Sequence, residues 1–292
     1  MPLVSVGMPV YNGEVWLPAA IDSILSQTMD DFVLEISDNA STDRTQAICR
    51  EYAEKDSRVR YYRNPENIGL NGNWTLAFRR TKSKYFKWAS CNDLCAPGFL
   101  QRCVERLEAN PNAVLCHTRT RIIRGGDDTF GEPYQDDVSC DGPEAYTRMR
   151  CTLERIRLNN AINGVIRSEV LARTGLIADY FSSDVVLLVE LALHGPILQV
   201  PEELFFRRMT PGAATQLKSG AEIVSYYQPK DRKMRFQHWK LHCGYLGAAA
   251  RAPLSLTERG RVYSHLLRRA IWSRLDLLGD VKDAVRASVA AE

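Results

Sequence analysis

The 292-residue chain has no apolar run long enough to cross a bilayer. A spanning helix needs about 20 consecutive apolar residues, and the best stretch, Val185 to Val200, is broken by Glu190, His194, Gly195 and Pro196. An excess of one charge sign is also lacking. Against 38 Lys plus Arg stand 35 Asp plus Glu, a net charge of +3, which excludes a polycation of the histone kind, and no nucleic-acid partner is expected. Met1 to Val6 carry neither a basic n-region nor a cleavage pattern, so they do not read as a signal peptide and a cytoplasmic location is expected. The eight cysteines are scattered between positions 49 and 243, which excludes a dense disulfide framework and makes small buried hydrophobes of them. Cys91 and Cys95 form one C-x3-C without a second pair, short of the four ligands of a structural zinc site.

Several catalytic fingerprints are missing as well. There is no G-x-x-x-x-G-K-[ST] and no G-x-G-x-x-G after the first strand, which excludes a P-loop NTPase and a Rossmann dehydrogenase. The missing N-terminal Gly-rich phosphate loop also ranks a nucleotidyltransferase last. No G-x-S-x-G elbow marks an α/β-hydrolase. His238 and His242 stand four apart on a helical stretch, but no H-E-x-x-H pattern or third ligand accompanies them. Asp127-Asp128 and Asp136-Asp137 read as solvated turns, with cation binding as the other reading.

What is present is an ordinary globular composition, 45% hydrophobic and 25% charged, with β-rich runs alternating with amphipathic stretches from Leu3 to about Val200. The pattern predicts strands over Leu3–Met8, Phe32–Ser37, Arg58–Tyr62 and Tyr85–Trp88, and helices over Val15–Ser26 and Thr42–Tyr52, the second preceded by a Ser41-Thr42-Asp43 cap. A crossover helix after each strand implies mostly parallel pairing. A longer strand-like run follows over Val114–Ile123, then helical patterns at Pro143–Arg157, Ser168–Thr174 and Val185–Leu193.

In an open α/β sheet, ligands bind at the carboxyl ends of the strands, and here four successive strand ends carry polar groups. The first is Pro9-Val10-Tyr11-Asn12-Gly13-Glu14, with an aromatic ring able to stack on a base. The second, Ser37-Asp38-Asn39, offers a carboxylate that can accept from a base N–H. Asn64 to Gly69, with Asn67, and the following Asn73 and Trp74 form the third, and Ser90-Cys91-Asn92-Asp93 the fourth. Asn-Asp pairs also begin ordinary turns, but this position suits a divalent cation holding a diphosphate.

In order along the chain, VSVGMPVYNGEVWLPAAIDSILSQT, ISDNASTDRT, NPENIGLNGNW, YFKWASCND, SSDVVLLVELALHG and LFFRRMTPG resemble the inverting nucleotide-sugar glycosyltransferases of family 2, over roughly residues 3 to 212. The resemblance implies a GT-A fold: α/β, a Rossmann-like, mostly parallel central sheet flanked by helices, here with a C-terminal helical extension. It divides the chain into a catalytic domain over 1–215, with a nucleotide-binding half to 112 and an acceptor half from 113, and a helical extension over 216–292. Pro9, Tyr11 and Asp38 map to the nucleobase loops, and Asn12, Asn67, Asn73, Ser90, Asn92, Asp93 and Arg208 join the donor-binding set. The family's Asp-x-Asp falls on Ser90-Cys91-Asn92, so two carboxylates are replaced, leaving Asn92 and Asp93 as ligands for Mg²⁺ or Mn²⁺. Asp184 maps to the general base, although its helix-start position alone fits a carboxylate favoured by the dipole. Arg207-Arg208 maps to the basic strand end facing the diphosphate, with Thr210 where the family carries His.

The implied reaction moves a sugar, most simply from a UDP-sugar, to a hydroxyl of a glycan, lipid-linked saccharide or metabolite acceptor with inversion. The alternative is a non-catalytic nucleotide- or carbohydrate-binding scaffold. From Lys230 onward, 13 Lys plus Arg against 6 Asp plus Glu accompany Trp239, Tyr245 and Trp272. That mixture suits peripheral attachment to an anionic membrane surface on the inner face, a homodimer interface, or a packed helical tail with a solvated basic face.

Overall fold

The computed structural model describes residues 1–124, 130–135, 138–209 and 235–289. Thr210, Asp127-Asp128 and Asp136-Asp137 lie outside the described residues.

Two β-branched runs open the chain. β1 (Val4–Val10) and β2 (Phe32–Asp38) are buried along their whole length, as strands covered on both faces must be. They pair in parallel from Val4↔Phe32 to Val10↔Asp38. β3 (Val59–Arg63) adds in parallel outside β2, and β4 (Tyr85–Trp88) in parallel on the other side of β1. The crossovers are α1 (Leu17–Leu25), α2 (Thr45–Lys55) and α3 (Leu70–Arg79), so the four expected strands and both expected helices form with boundaries shifted by a few residues. Leu17, Ala20, Ile21 and Ile24 give α1 its buried face at helical spacing.

Beyond β4 the sheet mixes directions. β5 (Leu94–Cys95), α4 (Phe99–Glu108), β6 (Leu115–Ile123), β7 (Phe130–Tyr134), α5 (Ala145–Arg155), β8 (Val165–Arg167), α6 (Ser168–Leu171), α7 (Ser183–His194) and β9 (Ile197–Arg208) follow in that order. The sheet runs β3-β2-β1-β4-β8-β6-β9-β5, with β7 beside β6. β8 is antiparallel to both β4 and β6, and β9 is parallel to β6. Two reversals restore direction, so β9 points the same way as β1. Its terminal Arg207 and Arg208 therefore arrive at the sheet edge where β1, β2 and β4 end, and the segment leading into β8 starts there too.

Three helices close the described chain: α8 (Gln237–Arg251), α9 (Leu256–Trp272) and α10 (Arg274–Val289). Ser255 caps α9 by accepting the Glu258 N–H. Tyr245, Ala248 and Ala249 of α8 with Val262 and Leu266 of α9 form one core with Met149 of α5 and Val186, Val189 and Leu193 of α7. No described helix is long and apolar enough to cross a membrane.

Two sequence expectations change. Cys140 and Cys151 form a disulfide, so the cysteines are not uniformly buried hydrophobes, and Cys243 is exposed. The fold brings Cys140, bridged to Ile197 at the sheet, under α5, a proximity that spacing alone does not show. In the tail Tyr245 is buried at 6% exposure and belongs to the core, while Trp239 and Trp272 face solvent. His238 pairs with Asp280 and His242 with the His238 carbonyl, which accounts for the two histidines without a metal.

Candidate active site

The first two strand-end loops are zipped together. The N–H groups of Asn12, Gly13 and Glu14 donate to Ser41 Oγ, Thr45 Oγ1 and Asp43 Oδ2 at 3.0, 2.9 and 3.1 Å. In return Asn12 Oδ1 accepts the Thr42 N–H and Glu14 Oε2 the Arg44 N–H. Ser41 to Asp43 thus do more than cap α2, whose first turn receives only the Asp43 carboxylate at the Thr45 N–H. Asn12, at φ 50°, takes the left-handed turn that asparagine tolerates and points its amide at the second loop. Tyr11 is left 46% exposed.

Asp38 does not face the cleft. Fully buried, it accepts the Ser41 N–H at one oxygen and the Tyr61 hydroxyl and Arg63 guanidinium at the other, at 2.7 and 2.8 Å. With these partners Asp38 is not among the residues lining the cleft. Alternation along β2 puts Ser37 on the α3 side and Asp38 on the opposite one. The neighbour lining the cleft is Asn39, buried and bonded to Asn67, Gly69, Asn64 and Ile68. Asn73 is similarly enclosed: Oδ1 accepts from Ser37 and Asn64, and Nδ2 donates to the Ser37 carbonyl. These asparagines shape the wall, and Gly69, at φ 84°, makes the turn into α3 that a side chain would strain.

The cleft consists of two adjoining cavities that share Leu70, Trp74, Ser90 and Asn92. One, of about 340 Å³, is lined by Pro9, Tyr11, Asn39, Asn67 and Asn73. The other, of about 160 Å³, is lined by Asp93, Asn159, Asn163, Asp184, Arg207 and Arg208. Of the residues singled out in the sequence, Pro9, Tyr11, Asn67, Asn73, Ser90, Asn92, Asp93, Asp184 and Arg208 therefore converge. Asn12, which is exposed, and Asp38, which is buried, are not among the lining residues.

Pairing of β5 with β9, Leu94↔Phe206, delivers the arginines to the Ser90–Asp93 turn. The Arg208 N–H donates to Asp93 Oδ1 at 2.9 Å and its Nε to the Asn92 carbonyl at 3.1 Å, with the guanidinium 4.2 Å from the Trp16 ring centre. Arg207 turns the other way, donating to the Leu158 carbonyl and to Asn160 Oδ1. Burial pushes the Asp93 carboxyl above the usual range, opposed by Arg207, the Arg208 N–H, Ser90 and Lys87. Lys87 is fully buried in β4 and donates to the Asn163 and Trp88 carbonyls. Burial likewise pushes the Cys91 thiol up to about 12, so it stands neutral on the wall.

No group of three or more His, Cys, Asp or Glu able to hold a metal exists among the described residues. Asp93, which takes the Arg208 N–H and a Ser90 side-chain hydrogen bond, and the Asn92 amide are the groups at hand. That set fits a Mg²⁺ or Mn²⁺ arriving on a diphosphate with its own waters, since such ions need only one or two protein carboxylates beside phosphate oxygens. It does not make a protein-only cage.

Asp184 sits in the first turn of α7, whose cap Ser182 adopts φ 57°. Its Oδ2 accepts from Asn159 Nδ2 at 2.7 Å. Sequence reasoning missed Asn39, Lys87 and Asn159. Asn39 and Lys87 stood inside motifs without a role of their own, and Asn159 left a trace as half of an Asn-Asn turn signal and does adopt the left-handed backbone at φ 55°.

Comparison with known proteins agrees with this architecture. The sequence model described as "Glycosyl transferase family 2" matches residues 5–180. An uncharacterized glycosyltransferase of Haemophilus influenzae is 28% identical over 122 residues, 42% of this chain and 38% of that protein. The uncharacterized glycosyltransferase EpsJ of Bacillus subtilis is 30% identical over 110 residues, 38% of this chain and 32% of that protein. The matches thus span well under half of these relatives. Among solved structures, S. aureus TarS 1-349 in complex with UDP superposes with a TM-score of 0.63 at 15% identity, covering 91% of this chain and 71% of that one. The mannosyltransferase PcManGT from Pyrobaculum calidifontis, in complex with GDP-Man and Mn²⁺, gives 0.53 at 17% identity, covering 93% and 80%. The central sheet, mostly parallel and flanked by helices, is that of the GT-A glycosyltransferases, and the chain belongs to glycosyl transferase family 2.

Proposed function

We propose that the chain transfers a hexosyl group from a nucleoside-diphosphate sugar, a UDP-sugar in the simplest case, to an acceptor hydroxyl with inversion. The observation that carries this reading is the continuity of the cleft from the exposed Tyr11 ring to Asp184, with Arg207 and Arg208 between. TarS with UDP and PcManGT with GDP-Man support a nucleotide-sugar donor.

Tyr11 stacks on the base and the zipped loops hold it there. Arg207 and Arg208 face the diphosphate, a task suited to the guanidinium fork. A Mg²⁺ or Mn²⁺ brought with the donor and held by Asp93 and Asn92 would neutralise the leaving diphosphate. Asp184 takes the proton of the acceptor hydroxyl as its oxygen bonds to the anomeric carbon. The bond from that carbon to the diphosphate oxygen breaks on the opposite side, and the nucleoside diphosphate leaves with the electron pair.

Ser90 and Asn92, where the family carries carboxylates, favour a second reading, a binding scaffold without turnover. The test is nucleoside-diphosphate release from a panel of UDP-, GDP- and dTDP-sugars with Mg²⁺, Mn²⁺ or chelator, acceptor extracts included. Release from one donor, lost in Asp93→Ala, is the expected result. Calorimetric binding of nucleotide with no release from any donor would establish the scaffold.

For the extension over 216–292 we propose peripheral attachment to the inner membrane face, which would present a glycan or lipid-linked acceptor to the catalytic domain over 1–215. Leu267, Ile271, Leu275, Leu278, Val281 and Val285 are 41–73% exposed, and Arg268, Arg274, Lys282 and Arg286 are exposed near them along α9 and α10. Apolar side chains that insert and cations that meet headgroups bind anionic bilayers together. Co-sedimentation is expected with phosphatidylglycerol vesicles and not with phosphatidylcholine vesicles, and is expected to weaken in Leu278→Glu/Val285→Glu. Equal recovery on both lipids, or dimers dissociated by the same substitutions, would replace the membrane with another partner.

A further inference from the structure

The seven residues ahead of β8, from Leu158 to Gly164, hold three charges at once. Leu158 and Asn160 receive Arg207, Asn159 donates to Asp184, and the Asn163 carbonyl receives Lys87. Only Asn159 meets the carboxylate proposed as base. It is 6% exposed and lines the same cavity. Its backbone is left-handed, at φ 55°, a conformation that asparagine adopts more readily than most L-residues, and from it the amide reaches Asp184 on α7.

We infer that Asn159 is a positioning residue for the reaction. It fixes Asp184 Oδ2, leaving Oδ1 to receive the acceptor proton, and its neighbours fix Arg207 through the same short segment. The distance between base and diphosphate-binding cation is thereby set by one rigid turn instead of by two independent side chains. This inference rests on the reading of Asp184 as base. Arg207 and Asp93 share the cavity with that carboxylate, and the Tyr245 hydroxyl of α8 feels its charge from behind.

Asn159→Gly separates the amide from the backbone, because glycine keeps the left-handed turn without strain. The expected result is a fall in kcat of roughly 10- to 100-fold, the loss of one charge-assisted hydrogen bond, with donor KM within about two-fold. Asn159→Asp, which sets a like charge against Asp184, is expected to lose at least as much kcat. Wild-type kcat in Asn159→Gly, with Asp184→Asn inactive, would overturn the positioning role and leave the base in place. So would a loss shared equally by kcat, KM and melting temperature. Full turnover in Asp184→Asn would instead sink the base assignment itself.

Discussion

Asp184→Asn is expected to lose turnover by about 10²- to 10⁴-fold, the range that a positioned general base contributes. Asparagine matches the size of aspartate and can still accept from Asn159, so the first turn of α7 and the cavity wall keep their shape. With donor binding proposed at Tyr11 and the arginines at the other strand ends, the donor dissociation constant is expected to stay within about two-fold. The loss therefore falls on kcat, about 3–5 kcal/mol of barrier at 1.36 kcal/mol per tenfold. Steady-state rates with calorimetric donor titration separate the terms. Turnover equal to wild type would remove Asp184 from the chemistry, and a matching loss of donor affinity would make it a binding residue.

Asp38→Ala is expected to act on stability. The carboxylate answers the Ser41 N–H, the Tyr61 hydroxyl and the Arg63 guanidinium, and itself has no exposed area. Removing one partner of a buried pair costs about 3–5 kcal/mol. The lower end applies, since the Arg63 side chain keeps 32% of its surface in solvent and can rehydrate. At roughly 2–4 °C per kcal/mol for a chain of this size, the melting temperature is expected to drop by about 6–12 °C. Asp38→Asn, which retains acceptor capacity, is expected to lose less. A variant that melts like wild type yet binds donor weakly would return Asp38 to base recognition.

That second case shows where sequence reading stops. Two adjacent polar residues at a strand end point to opposite faces, and nothing in Ser37-Asp38-Asn39 says where the strand's alternation ends and the loop begins. β1, β2 and β4 were legible because strands buried along their whole length leave a largely apolar signal, β3 showed as a short β-rich run, and their order placed Pro9, Tyr11, Asn92 and Asp93 at one edge. The second half was harder. β8 has three residues, too short for any period to emerge, and its pairing with β4 and β6 is set by tertiary packing. Asp184 and Arg208 were reached through resemblance to the family. Asn159 lay outside every motif because its role depends on a turn meeting a helix 25 residues later.

The core shared by α5, α7, α8 and α9 has a practical consequence. Cutting the chain before Gln237 would strip the cover from Val186 and Val189, two and five residues beyond Asp184. A shortened protein would thus report on the integrity of the helix that carries Asp184, not on acceptor delivery. The same continuity means that a load applied to α8 or α9 reaches the helix of Asp184 through their shared core.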